Sequence, residues 1–371
     1  MDNWIWRTER IPAALTAWLT GLLGEPLLVD LVKMILAAAL LAGFVALTAL
    51  SLVWIERKVA AHVQQRLGPM RVGPHGLLQT LADGLKLLSK ENITPLEADR
   101  FVFHLAPLLC FAATFVALSF IPWAPDLQVV NFNVGLVFVL GIGSVGVLGI
   151  LAAGWSSNNK WSMLGAMRAG AQIISYELSA TIALLSILVF AGSLDFREII
   201  ASQAGGWWIW RAPLVGFVAF VIYGIASVAE CNRTPFDLVE GESELTAGFH
   251  TEYASIRFAM FFLAEFVNIF LVCSISATVF LGGWMPFHIG DAATFNRIAD
   301  LVPPWAWFYG KTMALVLVFM WVRWTFPRLR VDQMMRFEWK FLMPLAFITL
   351  AVASCLVTAG WYFFPGPALV R

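Results

Sequence analysis

Residues 34–54 read MILAAALLAGFVALTALSLVW, an apolar run with no charged side chain. A helix needs about 20 such residues to cross the hydrocarbon core of a bilayer, where every backbone polar group must find its hydrogen-bond partner within the segment. The run meets this length and has the required composition. It therefore predicts a membrane-spanning α-helix.

Seven further stretches of the chain have the same character. Together with the first they predict eight spans, at residues 34–54, 101–121, 134–155, 169–191, 212–229, 258–282, 301–321 and 341–364. The seventh is the least regular, because Pro303, Pro304 and Lys311 interrupt its first half. The pattern predicts an all-α integral membrane protein. It forms one polytopic domain over residues 1–371, with about eight transmembrane helices and long cytoplasmic loops.

The composition of the chain agrees with a membrane environment. Of its 371 residues, 60% are hydrophobic and 13% are charged, and the mean hydropathy is +0.78. A soluble domain is roughly 45–50% apolar and about 25% charged, so a soluble fold is excluded. The net charge is zero, which gives no sign of a nucleic-acid partner. The lipid bilayer is the partner that the composition predicts.

The cysteines and histidines are scattered along the chain. Four cysteines occur, with no C-x-x-C or other ligand spacing, at Cys110, Cys231, Cys273 and Cys355. The five histidines form no close pair on one helix face of the kind that a membrane haem needs. We therefore predict no metal site, and no flavin, haem or iron–sulfur cluster bound by this chain.

The N-terminal extension, residues 1–30, admits more than one interpretation. Arg7 and Arg10 precede a moderately apolar stretch, as in a signal peptide, but no small-residue cleavage site follows and Glu25-Pro26 interrupts the run. We interpret the extension as an amphipathic helix at the membrane surface. A cleaved or spanning segment is the alternative.

The distribution of basic residues predicts the orientation of the bundle. Most of the 24 lysines and arginines follow the first, third, fifth and seventh spans, and few lie on the opposite side. Loops rich in Lys and Arg face the cytoplasm. With an even number of helices, both termini are then periplasmic.

The first cytoplasmic loop, residues 56–100, begins with ERKVAAHVQQRLGPMRVGPHGLLQTLADGLKLLSKE. After two Gly-Pro turn signals, leucines recur at helical spacing, at Leu77, Leu78, Leu81, Leu85 and Leu88. They predict an amphipathic helix in the membrane interface, which serves as a surface anchor. Glu56, Arg57, Arg66 and Arg71 give the loop a high charge density beside its turns. These charges either form a shaped docking surface or are simply solvated.

The third cytoplasmic loop, residues 230–257, is unusually acidic. Its first part reads ECNRTPFDLVEGESELTAGFHTEY, with one basic residue, Arg233, among six acids: Glu230, Asp237, Glu240, Glu242, Glu244 and Glu252. Apolar residues that favour burial are interleaved with these acids. Carboxylates crowded in a partly dry site cannot all stay ionised, so the pKa values of some rise toward neutral. We interpret the loop as a proton relay rather than a solvated acidic loop.

Two further acids, Glu177 and Glu265, fall inside predicted spans. A charge at membrane depth costs at least a few kcal/mol, so such residues usually face a cavity or a partner. We predict that both are functional, and that Glu230 connects them to the acidic loop.

Four stretches identify a family. The acidic loop resembles the signature of the family of the quinone-site membrane subunit, also called the H subunit, of NADH–quinone oxidoreductase (respiratory complex I). The first loop resembles that family's first cytoplasmic loop, and GAMRAGAQIISYEL at 165–178 and WVRWTFPRLRVDQMMRFEWKFLMP at 321–344 are also similar. The resemblance runs from about Asp30 to the C-terminus. Thr80 stands where the family pattern has proline, which affects only the local turn.

The resemblance implies a function and a set of site residues. The members of this family join the membrane arm to the peripheral arm and help to enclose a chamber for the ubiquinone head group. The residues that match this chamber are Glu56, Arg57, Arg66 and Asp83. The residues that match the family's carboxylate path are Glu177, Glu230, Asp237, Glu240, Glu242, Glu244 and Glu265.

The resemblance also implies partners and a location. Electrons would come from an iron–sulfur cluster in a neighbouring subunit, and NADH would bind on another chain. The expected partners are the peripheral quinone-site and iron–sulfur subunits and the adjacent small membrane subunits of complex I. The expected location is a bacterial inner membrane. Two alternatives are the membrane anchor of an energy-converting hydrogenase and an independent ion transporter, but the latter would show inverted repeats or paired broken helices.

Overall fold

The computed structural model describes residues 20, 26–125, 127–238, 246–288 and 293–360. Within these ranges the chain is built from helices, and the only β-type pairing is an isolated bridge between Ala124 and Leu127. The prediction of an all-α fold is confirmed. The surface helix predicted within residues 1–30 lies almost entirely outside the described residues.

The described part contains thirteen α-helices. They are α1 (Pro26–Val63), α2 (Gln79–Ser89), α3 (Arg100–Ser119), α4 (Gly135–Ser156), α5 (Lys160–Ala191), α6 (Phe196–Ala201), α7 (Trp208–Arg211), α8 (Pro213–Glu230), α9 (Ser255–Phe280), α10 (Ala293–Ala299), α11 (Pro304–Thr325), α12 (Val331–Phe337) and α13 (Met343–Thr358). Short 3₁₀ turns occur at Pro74–Gly76 and Gly248–His250, and a π-helical turn, Glu338–Leu342, joins α12 to α13.

Seven helices of the described part are long and apolar enough to cross a membrane: α1, α3, α4, α5, α9, α11 and the continuous segment α12–α13. They coincide with seven of the eight predicted spans. The remaining span, predicted at 212–229, is α8, whose apolar part, Leu214–Glu230, is shorter. Multi-pass membrane insertion therefore follows from both the sequence and the structure.

The helix ends differ from the predicted span ends. Helix α1 continues through Val63 instead of ending near residue 54, and α5 begins at Lys160 instead of residue 169. Glu56 and Arg57, predicted at the start of the first loop, therefore lie on the last turns of α1. Hydropathy marks where a helix leaves the hydrocarbon, whereas backbone hydrogen bonding continues beyond that point.

The interfacial helix predicted from the leucine pattern is α2. Leu81, Leu85 and Leu88 on this helix are exposed, with more than half of the Leu85 and Leu88 surfaces accessible. Thr80, the second residue of α2, is buried. The helix begins without the proline that the family pattern has at this position. The exposed leucines agree with a face that meets lipid or a partner subunit.

Small residues allow the spanning helices to approach closely, as is common in membrane bundles. A Cβ on Gly149 of α4 would lie 2.5 Å from Cys110 Sγ on α3. A Cβ on Gly165 of α5 would lie 2.8 Å from the Gly248 backbone, in the turn that ends the acidic loop. These contacts fix α4 against α3 and α5 against the acidic loop.

A buried lysine closes the opposite part of the bundle. The Lys311 amine on α11 donates to the carbonyl oxygens of Leu281 (2.6 Å), Gly283 (3.0 Å) and Met285 (2.7 Å), just after α9. It also lies 4.5 Å from the centroid of the Trp207 ring. The carbonyls of the C-cap residue of α9 and of the turn that follows it are thereby satisfied. Lys311 ties α11 to the end of α9.

Candidate functional site

Two glutamates and two arginines from four separate segments meet at one end of the bundle. Arg233, which follows α8, lies between Glu265 of α9 (Nε to Oε1, 2.8 Å) and Glu56 of α1 (Nη1 to Oε1, 3.7 Å). Arg323 of α11 also contacts the Glu56 carboxylate. We call these four residues the arginine–glutamate cluster. Glu56 and Arg233 are each only 7% exposed, so the pairing offsets much of the cost of burying their charges.

The position of Arg233 depends on a buried amide. The Gln172 side chain of α5 donates to the Ala229 carbonyl (2.7 Å), the Phe236 carbonyl (2.8 Å) and Asn232 Oδ1 (3.2 Å). Because these acceptors flank Arg233 on both sides, one fully buried side chain holds the start of the acidic loop against α5. The Arg233 guanidinium also lies 4.7 Å from the Phe266 ring centroid.

A cavity of about 200 Å³ lies beside the arginine–glutamate cluster. We call it the cluster cavity. It is lined by Val53, Glu56, Arg57, Ala60, Arg66, Arg233, Phe262, Phe266, Arg323 and Trp324. Four arginine side chains face this space together with three aromatic rings. The wall thus combines hydrogen-bond donors with flat apolar surfaces.

Three of the four residues predicted for a chamber line the cluster cavity: Glu56, Arg57 and Arg66. The fourth, Asp83, lies on α2 and pairs with Arg57 at 2.5 Å (Nη1 to Oδ2). Gln79 of α2 also donates to Asp83, at 3.1 Å. Asp83 therefore connects the interfacial helix to α1 and positions Arg57 instead of lining the space itself.

A second cavity, of about 110 Å³, lies among α3, α4, α5, α8 and α9. We call it the inner cavity. Its polar lining residues are Thr114, Glu230, Asn232, His250, Glu265 and Asn268. It shares Phe262 with the cluster cavity, and Glu265 on its wall is the partner of Arg233. The two cavities therefore meet at the Arg233–Glu265 ion pair.

The other predicted acids are placed as follows. Glu177 on α5 is half-buried and accepts a hydrogen bond from the Ser144 hydroxyl of α4. Asp237 is buried and pairs with Arg328 (Oδ2 to Nη2, 2.9 Å). The structure brings Glu230 and Glu265 to one cavity, and it brings neither Glu177 nor Asp237 to its wall. Glu240, Glu242 and Glu244 lie outside the described residues.

Burial shifts the pKa values of three side chains in the acidic loop. Burial lowers the pKa of His250 to about 4, although the nearby Asp237 carboxylate opposes this change. Burial raises the pKa of Tyr253 to about 12, and it raises the pKa of the Cys231 thiol well above its ordinary value. His250, Tyr253 and Cys231 are therefore neutral near pH 7.

Sequence reasoning missed three residues that support this site: Gln172, Arg323 and Arg328. Both arginines stand near the end of an apolar span, and such charges usually have a partner. That rule could have identified both arginines as partners of acids, but it could not have shown which acids they pair with. In the described ranges, no group of three or more His, Cys, Asp and Glu side chains could hold a metal ion.

Comparison with known proteins places this geometry in context. A family model described as NADH dehydrogenase matches residues 35–354. The H subunit of the NADH-quinone oxidoreductase of Bacteroides thetaiotaomicron is 49% identical over 318 residues, covering 86% of this chain and 89% of that protein. The H subunit of Bacteroides fragilis is 47% identical over 353 residues (94% and 98%), and that of Chlorobium luteolum is 47% identical over 363 residues (95% of each).

Proposed function

The chain belongs to the NADH dehydrogenase family that includes the H subunit of NADH-quinone oxidoreductase, and on that premise we propose how its residues work. It is a membrane-arm subunit of that enzyme. The cluster cavity contributes one wall of the ubiquinone chamber. The carboxylates around the inner cavity begin the path that carries protonation changes away from it.

The observation that carries the proposal is the lining of the cluster cavity. A quinone head group is a flat ring with two carbonyl oxygens, so it needs apolar surfaces for its ring and donors for its oxygens. Phe262, Phe266 and Trp324 supply the surfaces. Arginine side chains supply donors that remain protonated at any working pH.

Reduction of a quinone to a quinol consumes two electrons and two protons. The electrons come from an iron–sulfur cluster of a neighbouring subunit, in accordance with the prediction that this chain binds no redox centre. The negative charge that develops on the quinone oxygens is stabilised by arginines already held in place. The reaction therefore changes the charge balance next to the arginine–glutamate cluster.

Arg233 is the element of this cluster that responds to such a change, because it is shared between Glu56 and Glu265. A shift of its guanidinium toward one carboxylate weakens the pairing of the other. A buried carboxylate that loses its cation binds a proton more tightly. Charge at the cluster cavity thereby sets the protonation of Glu265, on the wall of the inner cavity.

The inner cavity continues the path, since Glu265 and Glu230 both line it. Its volume and polar groups suit several water molecules, which can carry a proton between the two acids. Glu177 on α5 is the next acid in the proposed path toward the membrane subunits. Asp237, Glu240, Glu242 and Glu244 complete the proposed set.

The proposal includes the setting of the chain. It resides in a bacterial inner membrane with both termini in the periplasm and with the cluster cavity toward the cytoplasmic side. Its partners are the peripheral quinone-site and iron–sulfur subunits near the cavities and small membrane subunits against the spanning helices. The basic residues of the loops and the exposed apolar helix faces support this arrangement.

Replacement of Arg57 or Arg66 by Ala in the intact complex tests the proposal. Both line the cluster cavity, and Arg57 is nearly half exposed, so loss of a charge costs the bundle little stability. We expect NADH:quinone activity to fall while NADH oxidation by an artificial acceptor that bypasses the quinone is retained. An equal loss of both activities at normal complex abundance would overturn the proposed chamber role.

A further inference from the structure

Glu338 differs from the other buried acids of the described chain. Its side chain is fully buried, at 0% exposure, and neither carboxylate oxygen has a hydrogen-bond partner among the described residues. By contrast, Glu56 pairs with two arginines, and Asp237 pairs with Arg328. Asp195, also buried, caps α6 by accepting from the Arg197 amide. Glu338 is therefore a carboxyl group without such compensation.

The surroundings of Glu338 are uncharged. It begins the π-helical turn inside the last spanning segment, and that turn packs against α5. Tyr176 and Ser179 of α5 lie beside it, and both are fully buried. Tyr176 is the titratable group that faces it from α5. The basic residues of its own segment, Arg336 and Lys340, are exposed at the surface.

The hydroxyl groups beside Glu338 are already used as donors. Tyr176 donates to the Met334 carbonyl (3.1 Å), and Ser179 donates to the Tyr176 carbonyl (3.1 Å). The Ser179 oxygen keeps lone pairs that can accept a hydrogen bond. A carboxylate has no hydrogen to give to that oxygen, whereas a carboxylic acid does. Burial without a neighbouring cation therefore favours the acid form, which can also donate to the Ser179 oxygen.

The energetic balance leads to the same form. An ionised carboxylate without a partner is strongly disfavoured in a protein interior, so the group binds a proton instead. A side chain needed only for packing would serve better as Leu or Gln at this position. Short π-helical segments inside α-helices are also frequent at functional sites. These observations point to a group retained for the proton it holds.

We propose that Glu338 is a proton-binding site of the membrane arm, held as a neutral acid at rest and exchanging its proton during turnover. On release, the O–H bond breaks, the electron pair stays on the carboxylate and a water molecule takes the proton; the reverse step restores the acid. Helix α5 separates this site from the acids of the proposed path, since Glu177 faces Ser144 on α4. The exchange step rests on the proposed function, but the resting protonation does not.

The test uses the intact complex with Glu338→Gln, which copies the size and neutrality of the acid and should assemble normally. Glu198→Gln is the matched control, because Glu198 is an exposed carboxylate on α6. Infrared spectra of the resting complex should lose a protonated-carboxyl band in Glu338→Gln and not in Glu198→Gln. In sealed vesicles, Glu338→Gln should pump fewer protons per NADH oxidised, with artificial-acceptor activity unchanged.

The two readouts separate the possible failures. If Glu338→Gln leaves the protonated-carboxyl band intact, the neutral resting state is wrong. If the band disappears but pumping is normal, Glu338 is a buried acid without a role in turnover, and the proposal is overturned. A full set of activities in Glu177→Gln would overturn the proposed path instead, while the infrared result for Glu338 would stand.

Discussion

Arg233 and Lys311 are both buried cations in the same bundle, but they are held by different kinds of partner. Lys311 donates to three backbone carbonyls, which keep the same charge at every pH. Arg233 lies between the carboxylates of Glu56 and Glu265, each of which can take up a proton. The partners of Lys311 therefore keep a fixed charge, whereas protonation can change the charge of the partners of Arg233.

This difference separates a structural cation from one that can transmit a signal. Backbone carbonyls cannot titrate, so the partners of Lys311 keep one charge state. Two carboxylates that share one arginine have several states of similar energy, distinguished by the position of the guanidinium and the proton. A coupling element needs at least two such states that a ligand can bias. The carboxylate partners of Arg233 meet that requirement, whereas the carbonyl partners of Lys311 do not.

Arg233→Met should have the largest effect. It leaves the buried Glu56 and the partly buried Glu265 with less positive charge, and breaking a buried pair costs about 3–5 kcal/mol. We expect a loss of at least about tenfold in NADH:quinone activity per assembled complex, a factor that corresponds to roughly 1.4 kcal/mol. The measurement is the ratio of quinone-dependent to artificial-acceptor turnover. Arg233→Lys, which keeps the charge, should lose less.

The control for Arg233→Met also removes the Glu265 carboxylate, which loses its ion-pair partner in that variant. The double variant Arg233→Met/Glu265→Gln should recover assembly without recovering quinone activity, because the shared cation and one acid of the proposed path are both missing. Wild-type quinone turnover in either variant would contradict the role assigned to the cluster.

Lys311→Met should reduce the amount of complex instead of its chemistry. The variant leaves three carbonyls without their donor, and each unsatisfied buried group costs about 1–3 kcal/mol. We expect less assembled complex on native gels, with an unchanged ratio of quinone to artificial-acceptor activity in the complex that does assemble. Lys311→Arg should restore part of the assembly. A selective loss of quinone activity in assembled Lys311→Met would abolish the distinction between the two cations.

His250 should have the smallest effect, and it adds a neutral polar group to the comparison. Burial lowers its pKa to about 4, from an ordinary value of 6.5. Its contribution to stability is therefore complete above pH 6.5 and is lost as the pH falls from 6.5 toward 4. Above pH 6.5, His250→Gln should leave the shape of the pH profile of quinone reductase unchanged. A wild-type ionisation near pH 6.5 that disappears in the variant would show that His250 titrates in the working range.

The sequence predicted the spans well because apolar runs are a local property. Residues 34–54 and six other runs each identify a long helix without reference to the rest of the chain. The position at which a helix ends depends less on the local sequence. The extension of α1 to Val63 depends on partners for Glu56 and Arg57 that come from α11, the acidic loop and α2.

The candidate site was predictable in its residue types but not in its pairs. Glu177 and Glu265 could be identified as candidates because a charged group within an apolar span is costly to bury and usually has a function. The pairing of Arg323 with Glu56 depends on how α11 packs against α1, which no local pattern encodes. Glu338 was missed because it follows basic residues in a segment that resembles an interfacial helix end. Only the packed bundle shows that its side chain is fully buried.

The central claim, that carboxylates of this chain carry protonation changes away from the quinone site, is tested most directly at Glu177. This residue accepts a hydrogen bond from Ser144 and is half-buried, and Gln keeps its size and its capacity to accept that bond. Proton pumping per NADH oxidised should be measured in vesicles for Glu177→Gln and Glu177→Asp, with Ser144→Ala as the control for the lost hydrogen bond. Asp, which keeps the titratable group, should retain more quinone reductase activity and pumping than Gln, with both complexes assembled. A Glu177→Gln enzyme that reduces quinone and pumps protons as the wild type does would contradict it.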